Sequence, residues 1–197
     1  DSVKTLHCAT IRSQSGAKLD VIRSLLSKLC LASIHFFPST RFYGFKRTLL
    51  NAAGLRLGRN VRFVSSARFI TPFVEIGDNT FVSYECLLIA AHGSRIEIGA
   101  NVDIGPRCTI TTGNHQIGGP EHRAGEGFVS DIVIEDGCWI AQNATILGGV
   151  RLGAGTIVTS GTVVTRSTGP NVMCVGNPMR ILPIPDPEQS GPKAAQD

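Results

Sequence analysis

The chain has 197 residues, enough for one domain with tails. Its 42% hydrophobic content is ordinary for a globular protein, whereas 6% aromatic content points to a thin core that admits only slim aliphatic side chains. The net charge of +4 comes without a Lys or Arg run, which argues against a nucleic-acid surface and suits a small anionic ligand.

The first residues show no basic, apolar and small-residue arrangement of a secretory signal. From Leu19 to Phe37 the chain is apolar on average but contains Asp20, Arg23, Lys28 and His35, a charge density that argues against a spanning helix. Ile22, Leu25, Leu26, Leu29 and Ile34 follow helical spacing and predict an amphipathic helix ending near Pro38. A second helix is predicted over Phe42 to Ala53, with Gly54 as its C-terminal cap. Residues 1–53 thus read as a helical cap and extension closing the open end of the domain that follows. Arg41, Lys46, Arg47 and Arg56 leave a second role open, contact with an anionic membrane surface.

Beyond residue 54 the period changes to six. Aliphatic residues fall at Ile134, Ile140, Ile146, Leu152, Val158 and Val164, with smaller side chains four positions later at Cys138, Ala144, Val150, Thr156 and Thr162. Six fits neither a helix of 3.6 residues per turn nor an alternating strand. It fits a triangular coil of three short parallel strands, with one residue per side pointing inward and Gly, Asn or Asp at the corners. The same ladder runs earlier through Leu57, Phe63 and Phe69, then Ile76, Val82 and Leu88, then Ile98, Ile104 and Ile110. Between Ile110 and Ile134 it is interrupted by a polar, Gly-rich stretch around Asn114 to Gly125, expected to be a loop protruding near 115–131.

Six cysteines, at 8, 30, 86, 108, 138 and 174, show no CxxC pair and no metal-ligand spacing. Cys86, Cys108 and Cys138 each stand four residues after a ladder position, so they read as packing residues in a reducing, cytoplasmic setting. Pro183, Pro185, Pro187 and Pro192 predict a flexible tail over 183–197 and end the coil domain at residue 182.

Five features together resemble the hexapeptide-repeat acyltransferases. They are the sixfold ladder, the His115 loop, Ile134-Glu135-Asp136-Gly137-Cys138-Trp139-Ile140, Gly161-Thr162-Val163-Val164-Thr165, and Gly176-Asn177-Pro178-Met179-Arg180-Ile181. The similarity covers roughly residues 46–182 and is strongest to the branch of galactoside, maltose and nodulation-factor acetyltransferases and surface-polysaccharide O-acetyltransferases. It implies an all-β fold, a left-handed parallel β-helix, and a homotrimer with active sites between subunits. It further implies acetyl-CoA as co-substrate, no metal, a carbohydrate hydroxyl as acceptor, and peripheral membrane contact if that acceptor is lipid-linked.

A sugar hydroxyl is a poor nucleophile at neutral pH, so acyl transfer needs a base, and histidine suits that task. His115 matches the family's catalytic histidine. The resemblance places the oxyanion donor at the backbone N–H of Ala141, where the family usually has Gly. Trp139, the only tryptophan, is expected to wall the cleft. Trp139, Ala141, Gln142, Ser160, Gly161, Thr165 and Arg166 are expected to line one coenzyme A groove, with Arg180 pairing a phosphate. Ser83, Tyr84 and Glu85, with Asn114 and His115, are the acceptor-side candidates. Related enzymes often have Asn where this chain has Ser83 or Glu85.

Other functions compete. The acceptor could be an antibiotic or an amino sugar. A trimeric carbonic-anhydrase-like enzyme would recruit His92, His115 and His122, although their separations do not match that family's pattern. A non-catalytic trimeric scaffold would leave His115, Trp139 and Arg180 unexplained.

Overall fold

The computed structural model describes residues 25–185. The predicted extension before residue 25 and the tail beyond 185 lie outside the described residues.

Residues 25–33 are helical and run into a 3-10 turn at Ile34–Phe36. Helix α1 (Tyr43–Ala52) follows, within a residue of the predicted span, and Gly54 after it adopts φ +107°. Leu31, Ile34, Leu50 and Ala53 are buried in one cluster with Leu55, Leu57 and Phe63 at the start of the coil. The expected apolar face is only partly used, because Leu25, Leu26 and Leu29 are exposed. Lys46 is no surface cation either. Fully buried, its Nζ donates to the carbonyls of Ser39 and Phe63 and to Ser65 Oγ, each at 3.1 Å. The Tyr43 ring, 4.8 Å from the amine, adds a cation–π contact. Burial holds this amine's pKa below its ordinary value.

Five three-stranded coils follow. The first is β1 (Arg56–Leu57), β2 (Arg62–Phe63) and β3 (Arg68–Phe69); the second is β4 (Val74–Ile76), β5 (Phe81–Val82) and β6 (Leu87–Ile89). The third is β7 (Ile96–Ile98), β8 (Asp103–Ile104) and β9 (Thr109–Thr111). After a hairpin of β10 (Gly113–Ile117) and β11 (Ala124–Val129), the fourth coil is β12 (Ile132–Ile134), β13 (Trp139–Ile140) and β14 (Thr145–Leu147). The fifth is β15 (Arg151–Leu152), β16 (Ile157–Val158) and β17 (Val163–Val164). The chain ends its described part with β18 (Val172–Val175) and β19 (Arg180–Pro183).

The strands sort into three faces. The first is the parallel sheet β1-β4-β7-β12-β15, the second runs from β2 through β5, β8, β13 and β16 to β18 and β19, and the third is β3-β6-β9-β14-β17. Register puts ladder residue on ladder residue: Leu57, Ile76, Ile98, Ile134 and Leu152 stack on the first face. Phe63, Val82, Ile104, Ile140 and Val158 stack on the second and meet Cys174 on β18. Phe69, Leu88, Ile110, Ile146 and Val164 stack on the third. All of these side chains are buried, so the period of six is the period of the core. Cys86, Cys108 and Cys138 are buried at the corners, in the packing role expected of them.

Two expectations need correction. The stretch after Ile110 is no irregular loop: it forms an antiparallel hairpin with a bulge between His115 and Ile117. Neither strand of the hairpin has a buried residue, so no hydrophobic pattern announced it. Pro183 does not start an unstructured tail; it closes β19, which pairs antiparallel with β18 at the sheet edge, where a missing N–H is tolerated.

Candidate functional site

The corner between the second and third faces stacks Tyr84-Glu85, Pro106-Arg107, Gln142-Asn143 and Ser160-Gly161 on successive coils. Backbone bonds tie them together: Arg107 N donates to Tyr84 O (2.8 Å), Asn143 N to Pro106 O (2.9 Å) and Gly161 N to Gln142 O (2.9 Å). Four of these coils put one corner residue in the left-handed region, at Glu85 (φ 56°), Arg107 (60°), Asn143 (58°) and Gly161 (71°). Asn and Gly suit that conformation; Glu and Arg do not. Glu85 and Arg107 nevertheless hold it while paired through Arg107 Nε and Glu85 Oε2 at 2.8 Å. A cavity of about 450 Å³ opens along this edge, lined by Tyr84, Glu85, Pro106, Arg107, Gln142 and Asn143. A larger one, about 530 Å³, lies on the first face. Its Glu75, Glu97, Glu135 and Asp136 carboxylates repel anionic groups such as phosphates, which the smaller cavity does not.

Among the described residues, the backbone N–H groups of Gln142 and Ser160 find no acceptor, leaving two donors at the mouth of this edge. Trp139, half-exposed on the outer side of β13, stands one strand away. Arg180 begins β19 and is exposed, without an ion-pair partner among the described residues.

His115 lies elsewhere. The hairpin leaves the coil after β9 and returns at β12, which places it at the edge between the third and first faces. There the Nδ1 of His115 is 3.0 Å from the carbonyl oxygen of Gly125 across the hairpin. A carbonyl can only accept, so Nδ1 carries a proton, and in the neutral ring the lone pair is on Nε2. The His115 backbone N–H donates to Asn114 Oδ1 at 2.8 Å, so the Asn114 side chain is engaged beside it. His92 is on the same edge but stacks edge-on against Phe73, ring centroids 5.1 Å apart. Among the described residues, no three His, Cys, Asp or Glu side chains cluster as metal ligands.

Several expected site residues need relocation. The Ala141 N–H donates to the Val158 carbonyl at 2.8 Å within the sheet ladder, so it has no bond left for an oxyanion. Ser83 is buried, with its N–H on Ile104 O, and only 7% of its surface is exposed. Glu85 is engaged by Arg107. Thr165 and Arg166 follow β17 and stand at the His115 edge, whereas Gln142, Ser160 and Gly161 precede it; the expected single groove is split between two edges. Tyr84 and Glu85 likewise do not face the hairpin of their own chain. Gly125, which orients His115, and Arg107, which engages Glu85, carried no signal in the sequence.

The bacterial transferase hexapeptide family (six repeats) matches residues 131–166. Residues 131–166 are thus a hexapeptide-repeat segment. The hexapeptide coil is similar over 84% of this chain to a hexapeptide-repeat acetyltransferase of Vibrio cholerae O1 biovar eltor solved with acetyl coenzyme A. That match has a TM-score of 0.70, 26% identity and 88% coverage of the other chain. An Escherichia coli K12 protein, provisionally named a colanic acid biosynthesis acetyltransferase, is 29% identical over 77% of this chain and 81% of its own length. A fission-yeast protein, from Schizosaccharomyces pombe and provisionally named an acetyltransferase, is 33% identical over 54% of this chain. The chain spans about half the length of that relative, 51%.

Proposed function

We propose that this hexapeptide-repeat protein is an acetyl-CoA-dependent O-acetyltransferase acting on a carbohydrate hydroxyl in surface-polysaccharide assembly, built as a left-handed β-helix and working as a homotrimer. The observation that carries the proposal is the His115 imidazole, held at Nδ1 by Gly125 with Nε2 open. A neutral histidine fixed in that tautomer is a ready general base. Its similarity to an acetyltransferase solved with acetyl-CoA supplies the donor, and similarity to a protein named for colanic acid biosynthesis supplies the acceptor class.

In the reaction, Nε2 of His115 takes the proton of the acceptor hydroxyl while its oxygen bonds to the thioester carbonyl carbon. The tetrahedral oxyanion accepts a hydrogen bond from a backbone N–H, and Gln142 replaces Ala141 as the donor because its N–H has no other partner among the described residues. Collapse breaks the carbon–sulfur bond, and the imidazolium returns its proton to the departing thiolate. The pantetheine arm runs along the edge of Gln142, Ser160 and Gly161 beside Trp139, and Arg180 meets a phosphate. Tyr84 is left as the acceptor-side group with exposed surface on that edge.

The split between edges bears on assembly. One chain holds His115, Thr165 and Arg166 on one edge and Tyr84, Gln142, Ser160 and Gly161 on the next. A neighbouring subunit that lays its hairpin over this second edge completes the set, so the site is shared. Mixing His115→Ala with a variant of the other edge weakened in acetyl-CoA binding, Trp139→Ala with Arg180→Ala, at an acetyl-CoA concentration where each alone shows little activity, tests this. Under conditions of subunit exchange, a fraction of activity returns if the site is shared. No recovery after proven exchange contradicts it.

A further inference from the structure

We propose that the N-terminal cap docks this protein on an anionic lipid bilayer, with Leu and Phe side chains inserted at the interface and Lys and Arg on the headgroups. The inference goes beyond acetyl transfer and does not rest on it.

The cap buries Leu31 and Ile34 toward the coil and turns a second apolar set outward. Leu25 (58% exposed), Leu26 (55%), Leu29 (58%), Phe36 (90%), Phe42 (60%) and Phe45 (54%) all lie within the 25–52 segment. Single exposed hydrophobics are ordinary, but six in one short segment are not. They are connected: Leu25, Leu26 and Leu29 share a helical stripe at spacings of three and four. Phe37 links the two helical segments by stacking on Phe45, centroids 5.3 Å apart. Phe42 is held at φ 56°, a left-handed conformation that strains a bulky residue while leaving its ring in solvent.

Charge selects the occupant. Residues 25–74 contain Lys28, Arg41, Lys46, Arg47, Arg56, Arg59, Arg62 and Arg68 and no Asp or Glu. Lys46 is buried, and Arg56 and Arg59 are paired with Glu75 and Asp78. The rest have no ion-pair partner among the described residues, and Lys28 and Arg41 fall between members of the apolar set along the chain. A second copy would bring the same positive end against this one and be repelled. An anionic bilayer offers apolar depth and negative headgroups together, the combination that binds interfacial amphipathic helices. No helix among the described residues is long and apolar enough to cross it, and the proposal places the cap on the bilayer surface.

The test is co-sedimentation of the full chain with vesicles of mixed phosphatidylglycerol and phosphatidylcholine, and with phosphatidylcholine alone. The expected result is partitioning onto the anionic vesicles that weakens with added salt and is about tenfold or more lower on neutral ones. Leu25→Asp with Leu29→Asp and Phe36→Asp, and separately Lys28→Glu with Arg41→Glu, should each lower that partitioning about tenfold. All these positions are exposed, so the melting curve should be unchanged. Absence of the wild-type chain from the anionic pellet, or equal binding by the Leu and Phe variant, overturns the proposal. Self-association lost in that variant, without vesicle binding, also overturns it by making a second copy the occupant.

Discussion

His115 Nδ1 and the Gly125 carbonyl oxygen stand 3.0 Å apart across the β10–β11 hairpin. This bond fixes one tautomer of an exposed imidazole. It also couples the base to hairpin geometry rather than to the coil, since Gly125 belongs to the returning strand. Replacing His115 by Ala should lower turnover by about 10²–10⁴-fold and leave acetyl-CoA affinity nearly intact, because a general base contributes to the rate and little to donor binding. Steady-state kinetics beside equilibrium binding decides it; unchanged turnover removes His115 from the mechanism.

Arg180→Ala should raise KM for acetyl-CoA with little change in kcat, as loss of a phosphate contact remote from the reacting atoms does. A normal KM places the phosphate elsewhere.

Glycine at corner contacts sets the spacing of coils. A Cβ on Gly77 would stand 2.6 Å from the backbone nitrogen of Ala100 and the carbonyl carbon of Gly99, on the next coil. Backbone cannot swing aside as a side-chain tip can, so Gly77→Ala should destabilise by about 1–3 kcal/mol. Arg107→Gly tests the opposite case. It relieves a left-handed residue costing about 1–2 kcal/mol and loses an exposed ion pair that contributes about 0–1 kcal/mol, so its stability should equal or exceed wild type. Denaturant unfolding of both variants measures these effects; a stable Gly77→Ala or a strongly destabilised Arg107→Gly contradicts the corner geometry.

Burial pushes up the Cys138 and Cys174 thiols. A folded pKa above the unfolded one means that the unfolded chain loses these protons first. Their contribution is therefore complete below the ordinary thiol value of 9.0 and declines as pH rises through it toward the folded pKa. Melting temperature should fall from pH about 8 to about 10, less steeply in Cys138→Ala. Parallel curves for the two proteins would show that Cys138 is not protected.

The ladder residues were legible because one physical constraint, a side chain pointing into a narrow column, recurs at every sixth position. All fifteen, from Leu57 to Val164, are buried. Helix α1 was legible for a similar reason, with Gly54 ending it. The hairpin was not, since its strands have no inward face and leave no period to read. Lys46 misled because a cation in a helix ordinarily faces water; three acceptors contributed by Ser39, Phe63 and Ser65 reverse that preference. At the site, residue types were readable but their edges were not. A displacement of five residues, from Ser160 to Thr165, carries the chain across a whole face of the prism. The commitment of the Ala141 N–H to Val158 depends on register between coils, which no local sequence feature encodes.

The measurement that tests acetyl transfer most directly is calorimetric titration of acetyl-CoA into the purified protein, with His115→Ala alongside. The account predicts saturable binding near one site per chain in both proteins, with thiol release on adding a carbohydrate acceptor only in the wild type. No saturable binding by the wild-type protein would contradict it.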